Sequence, residues 1–286
     1  MEPVVAIIYD CDGTLCRDTT NFLLHEYAID VDLFWRDVGK RVEQGWDPPL
    51  AYLTRILELV TEGPLRGLTK QRLREIGVKV PLFPGLPEMF KELNRLVARQ
   101  PNLRDIGLRL EHYIVSCGIA ELIRGLQIAR NMKEIFGCEF DFDPETGIPI
   151  AIKASVSFTE KTKFIWAINK NISGNRLRRN PYAVNNVVAK EKRRIPPHNM
   201  IYIGDGPSDI PCFSMLTEYN GDGIGVAEKP AKGYELAKGK RTTTGPYSPD
   251  YRRGSDMRRA LEAAIFDKAF GIYMDLQRGE RRSPSP

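Results

Sequence analysis

Residues 4–15 read VVAIIYDCDGTL: an apolar run that ends in two aspartates one residue apart, followed by Gly-Thr-Leu. No other stretch constrains the fold as tightly. VVAIIY has the length and β-branched content of a strand buried on both faces of a parallel sheet. Side chains at i and i+2 of a strand share a side, so Asp10 and Asp12 converge where the strand ends. Gly13 lets the backbone turn there. Two carboxylates held side by side are costly as anions unless a cation sits between them. The plainer reading of Asp-Gly is an acidic turn that caps the next helix.

Three further blocks favour chemistry over capping. Residues 200–209, MIYIGDGPSD, predict a second short strand, with Asp205 and Asp209 at its C-terminal end and Gly204 and Gly206 allowing close backbone approach. Residues 112–118, HYIVSCG, predict a third strand that ends in Ser116 with Gly118 behind it. A hydroxyl and free amides at a strand-to-helix turn make an anion site. In TEKTKFIWAINK, residues 159–170, Lys161 stands near the start of a helix whose apolar face carries Phe164, Ile165 and Ile168.

Taken in chain order, Asp10 to Thr14, then Ser116, then Lys161, then Gly204 to Asp209, the four blocks resemble the haloacid dehalogenase superfamily, in its phosphoserine-phosphatase-like, aspartate-nucleophile branch with a helical cap. The resemblance spans residues 4–230. It implies an α/β fold: a doubly wound, mainly parallel sheet (a Rossmannoid core) with an inserted all-helical cap. It also implies roles. Asp10 would be the nucleophile of an aspartyl-phosphate mechanism, and Asp12 the acid and then the base. Mg²⁺ would sit on Asp10, Asp205 and the backbone carbonyl of Asp12. Ser116 and Lys161 would hold the phosphate, with Asp209 behind them, bonded to a metal water or orienting Lys161. Lys163 competes for the lysine role, but the family lysine lies in the first turn of its helix, which favours Lys161. The interval from Lys161 to Asp205 exceeds that of the compact members and implies an insertion.

Periodicity divides the chain further. Helical spacing at Phe34, Val38 and Val42, and again at Leu50, Leu53, Leu57 and Val60, with no strand pattern before Pro84-Gly85, predicts a helical cap over residues 17–83. The core would comprise residues 1–16 and 84–275. A helix is predicted from 119 to 136, another from 255 to 270, and an edge strand at 223–226. Residues 276–286 read as a disordered tail. Residues 171–194 hold seven basic residues and one acid, Glu191. A solvated basic loop is expected there; the alternative is that Arg176, Arg178 or Arg179 grips the substrate's far end.

Composition excludes several classes. A net charge of +5 is too mild to imply nucleic-acid binding. No apolar stretch approaches the ~20 residues that span a bilayer, and no signal-peptide pattern precedes the first strand. Five irregularly spaced cysteines make neither a disulfide framework nor a zinc site, which points to reduced thiols and a cytoplasmic setting. Cys11 is expected to pack inertly, and His25, His112 and His198 to be structural. Gly221-Asp222-Gly223-Ile224-Gly225 lacks the spacing of a dinucleotide loop. The expected partner is a small phosphorylated metabolite. A phosphomutase would use the same core residues. A dehalogenase would have no use for Asp12, Asp205 and Asp209, and a non-catalytic binding protein would have lost at least one of them. Substrate selectivity lies in the cap, where Asp18-Thr19-Thr20-Asn21 does not favour phosphoserine.

Overall fold

The computed structural model describes residues 2–228 and 242–282. Strand β1 (Val4–Tyr9) is buried at every position. Its alternating side chains feed two separate cores: Val4, Ala6 and Ile8 one, and Val5, Ile7 and Tyr9 the other. This is the pleat of a central strand with helices on both faces.

The sheet has seven strands in the order β4-β3-β2-β1-β5-β6-β7. The remaining strands are β2 (Arg109–Ile119), β3 (Glu134–Phe142), β4 (Pro149–Ala154), β5 (Met200–Gly204), β6 (Asp222–Val226) and β7 (Thr244–Tyr247). Neighbours run parallel except β3 and β4, which form an antiparallel pair. Tyr9 is level with Ile114 on one side and Ile203 on the other. The segments after β1 and β5, and the C-terminal part of β2, therefore emerge at one edge of the sheet. The chain winds outward from β1 through β2 and then returns to β5 on its other flank. Ligands of open α/β sheets bind at such a switch point.

Between β1 and the helix α5 (Glu88–Ala98) lie four helices: α1 (Thr19–Glu26), α2 (Val31–Glu43), α3 (Pro48–Glu62) and α4 (Lys70–Lys79). Their starts are set locally. Asp18, Asp30, Asp47 and Thr69 each accept an N–H from the first turn, and Pro48 opens α3 where no donor is needed. Leu23, Phe34, Leu53, Ile56 and Leu73 from these helices join the same core as Val4 and Ile8. Helix α4 crosses α7 (Ala120–Gly125) almost backbone to backbone. A Cβ on Gly77 would lie 2.1 Å from the Leu122 carbonyl oxygen, and one on Gly125 2.2 Å from that of Arg74.

Strand β2, expected to end at Ser116, instead runs through it to Ile119. The structure departs from the sequence expectations in four further places. The helix expected to reach residue 136 ends at Gly125, and β3 begins at Glu134. Leu122, Ile123 and Leu126 carry helical spacing, but Gly125 closes the helix and the β3–β4 pair follows, turned by Asp143 accepting from the Glu145 and Thr146 N–H groups. Strand β6 is interior, because β7 pairs outside it. The last helix, α11, runs Asp256–Arg282, so the tail expected from residue 276 is helical to that point, and residues 283–286 lie outside the described residues. The basic segment 171–194 is not a free loop. Leu177 and Ala183 are buried, Arg178 pairs with Glu139 at 2.8 Å, and Arg194 pairs with Glu111 at 2.6 Å. Among the described residues no helix is long and apolar enough to cross a membrane, and Cys11, Cys16, Cys117, Cys138 and Cys212 are free thiols.

Candidate active site

Asp10 follows β1, and its backbone N–H donates to the Ile203 carbonyl at 2.8 Å, which continues the β1–β5 pairing into the loop. Gly13 then turns the chain with a φ of +78°. A side chain there would also collide with Asp205, whose Oδ2 would lie 2.2 Å from its Cβ. This close approach brings the two aspartate-bearing loops together. One carboxylate oxygen from each of Asp10, Asp205 and Asp209 falls within 4.8 Å of the others.

Lys161, from α8 (Glu160–Asn169), reaches into this cluster and is fully buried. Its Nζ lies 3.0 Å from Asp10 Oδ1 and 2.6 Å from Asp209 Oδ1, and it donates to Ser208 Oγ at 3.1 Å. Burial disfavours its charge, but the Asp10 and Asp209 carboxylates override that and hold the ammonium well above the usual lysine range. Lys163 instead pairs with Glu160 at 2.7 Å on the surface side of the same helix.

Asp209 is fully committed. Oδ1 accepts from Lys161 and from the Tyr202 hydroxyl at 2.7 Å, and Oδ2 accepts the Asp205 and Gly206 N–H groups at 3.0 and 3.1 Å. An ionised carboxylate offers about four lone-pair positions, so Asp209 positions Lys161 and the Asp205 loop and has none left for a metal. Asp10 differs. Its Oδ1 is buried and accepts no well-directed hydrogen bond, the Lys161 contact being an ion pair only. Burial first of all, with Asp209 and Asp205 adding to it against the pull of Lys161, pushes the Asp10 carboxyl up to about 7. An oxygen-only, anionic site with a spare buried lone pair suits a hard divalent cation.

Asp12 turns toward the helical segment. Its Oδ1 accepts the Thr19 N–H at 2.6 Å. Burial, followed by the charge of Asp18, raises its carboxyl well above the ordinary range, against the hydrogen bond from Thr19. Ser116 Oγ accepts the Gly118 N–H at 3.0 Å, which does not spend its own hydroxyl proton. Asp10, Asp12, Ser116 and Asp205 all line one cleft of about 620 Å³.

A family model for haloacid dehalogenase-like hydrolases matches residues 7–214. The chain belongs to that family. An uncharacterized protein of Borreliella burgdorferi is 30% identical over 236 residues, covering 75% of this chain and 79% of the relative. The fold is shared with a substrate-bound phosphoserine phosphatase complex (TM-score 0.53, 14% identity, 92% of this chain and 99% of that one). It is shared too with a phospho-aspartyl intermediate analogue of phosphoserine phosphatase (TM-score 0.51, 15% identity, 91% and 99%). A probable phosphoserine phosphatase from Vibrio cholerae gives a TM-score of 0.52 at 17% identity, covering 96% of this chain and 67% of that one.

In this haloacid dehalogenase-like hydrolase the helical segment supplies one wall of the cleft, through Asn21, Trp35 and Tyr52. The Tyr52 hydroxyl donates to the Cys117 carbonyl at 2.6 Å, a bond that spans the cleft from α3 to β2. Arg17 and Glu228 pair at 3.0 Å at the rim. None of the basic segment's arginines lines the cleft. Three residues of the hydrolase that sequence reasoning passed over act on the named ones: Thr19 on Asp12, Tyr202 on Asp209, and Ser208 on Lys161. Thr19 had a signal, since a residue in a helix's first turn has a spare N–H. Tyr202 and Ser208 had none, because their contacts depend on how β5 meets α8. Cys11 is buried with its Sγ 3.8 Å from that of Cys16. His112 sits in the core against Tyr9 and Phe90, where burial lowers its value to about 3 and keeps it neutral.

Proposed function

We propose that the chain is a Mg²⁺-dependent hydrolase of a small phosphomonoester that works through an aspartyl-phosphate, with residues 17–83 as the cap over the site. The observation that carries this reading is Asp10: a buried carboxylate at a strand end, its Oδ1 paired with the Lys161 ammonium at 3.0 Å and with Asp205 beside it. Asp10, Asp205 and the Asp12 carbonyl would hold the cation, while Asp209 keeps Lys161 in place. Bound Mg²⁺ would neutralise phosphate charge and help orient the phosphoryl group toward the nucleophile.

The rest is done by the chain's own side chains. An Asp10 oxygen attacks phosphorus and the bond to the leaving oxygen breaks. Asp12, whose carboxyl is raised by burial, donates a proton to that oxygen. Asp12 then takes a proton from water, which attacks the same phosphorus and frees Asp10. The Ser116 hydroxyl holds an equatorial oxygen, and the Lys161 ammonium, buried against Asp10 and Asp209, offsets the charge between phosphate and nucleophile. Free thiols throughout accord with a cytoplasmic setting. A phosphometabolite panel assayed with Mg²⁺ tests the reading. Wild type should release phosphate, EDTA should stop it, and Asp10→Asn should abolish it while leaving the melting curve cooperative. Turnover by Asp10→Asn, or full activity in EDTA, would overturn the mechanism.

A further inference from the structure

The wall of the cleft beyond the carboxylates is aromatic. Trp35 and Tyr52 stand with ring centroids 6.0 Å apart and planes at 52°, and Phe34 braces Trp35 edge-on at 5.1 Å. Both polar handles are already used inside the protein. The Tyr52 hydroxyl donates to Cys117, and the Trp35 indole N–H donates to Asn21 Oδ1 at 2.5 Å. Only ring surface is left to offer a ligand, and since Tyr52 is 7% exposed most of it belongs to Trp35, with Tyr52 as its backing. A tilted pair of this kind forms a corner in which a third ring stacks on one member and meets the edge of the other.

The corner lies close to the phosphate end of the site. Tyr52 is tied to the residue after Ser116, and Asn21 stands two residues beyond Thr19, which holds Asp12. Phe158, three residues before Lys161, adds a ring that is 40% exposed and also lines the cleft.

Charge points the same way. Among the described residues lining the cleft, Arg17 is the one cation, and it is paired with Glu228, with Asp18 nearby. The carboxylate of an amino-acid leaving group would have to displace Glu228 from Arg17 and enter beside these acids. An uncharged ring meets no such cost.

We infer that the phosphomonoester taken by this site carries a planar, uncharged aromatic ring on its leaving group, as a nucleoside monophosphate does, with the ring seated against Trp35, Tyr52 and Phe158; the inference rests on the phosphatase reading above. The test compares kcat/KM for nucleoside 5′-monophosphates with that for ribose 5-phosphate and phosphoserine. The nucleotide and the sugar phosphate break the same kind of primary ester, so their ratio reports the ring. Base stacking of this sort amounts to roughly 10- to 100-fold in favour of the nucleotide. Trp35→Ala and, on the exposed side, Phe158→Ala should each shrink that ratio, whereas Trp35→Phe should retain most of it. Equal or better turnover of ribose 5-phosphate or phosphoserine, still abolished by Asp10→Asn, would overturn the inference and leave the phosphatase reading standing. An absence of Asp10-dependent turnover of any ester would overturn both.

Discussion

Replacing Lys161 with methionine asks whether one buried ammonium holds the site's carboxylates together. The side chain is fully buried, 3.0 Å from Asp10 and 2.6 Å from Asp209, and methionine fills similar space without charge. Removing one partner of a buried ion pair costs about 3–5 kcal/mol, because the other charge stays buried and uncompensated. At about 2–4 °C per kcal/mol for a chain of this size, Tm should fall by roughly 6–20 °C. The loss should also depend on pH. Burial pushes Asp10 from 3.8 up to about 7 even with Lys161 pulling it back, so the variant's Asp10 rises further. A carboxyl whose folded value lies above its unfolded one contributes stability that is fully present below the unfolded value. That contribution is lost as pH rises through the folded value. In EDTA the variant should therefore lie closest to wild type near pH 5 and fall furthest behind by pH 8. Thermal melts across that range, paired with Asp209→Asn and the double variant, give the coupling between the two positions. A Lys161→Met protein within about 1 kcal/mol of wild type at pH 8, with no coupling to Asp209, would refute the argument.

Two further outcomes follow from the packing. Gly77→Ala should destabilise by up to about 2 kcal/mol in urea titration, because its Cβ would meet the Leu122 carbonyl at 2.1 Å and part α4 from α7; overpacking of about 1–3 kcal/mol is offset by the roughly 1 kcal/mol that alanine brings to a helix, and a stabilised variant would contradict the close crossing. Arg176→Ser with Arg179→Ser should leave kcat/KM within about threefold on the best panel substrate, since neither lines the cleft, whereas Arg178→Ser should lose about 0.5–1 kcal/mol of stability with its Glu139 partner.

Much of the candidate site could be read directly because its spacing is local. The two-residue step between Asp10 and Asp12, and the strand end before Asp205, follow from strand periodicity alone, whereas β2 runs on past Ser116 to Ile119. The choice of Lys161 over Lys163 came from the family resemblance, and the structure separates the two by burial: one lysine faces carboxylates and the other faces solvent. The helix starts at Asp18, Asp30, Asp47 and Thr69 are equally local, since a cap bonds within three residues. The β3–β4 pair was not legible. Its residues follow an apolar stretch of helical spacing, and a strand's partner is chosen by pairing across the sheet rather than by its own sequence.

The chain's own sequence determined that a strand would deliver Asp10 and Asp12 to the edge of a parallel sheet, and that a helical segment would follow. Tertiary structure alone decided the rest. It spends every acceptor of Asp209 on Lys161, Tyr202 and two backbone amides, and sets the Lys161 ammonium between Asp209 and Asp10. It anchors Arg178 and Arg194 on Glu139 and Glu111 instead of at the cleft, and turns Trp35 and Tyr52 toward the same wall. Apart from the bonds of Asp209 to Tyr202 and the two amides, which close within seven residues, each of these depends on groups farther apart in the chain. Their distances are set by how the layers pack, which periodicity within one element does not encode.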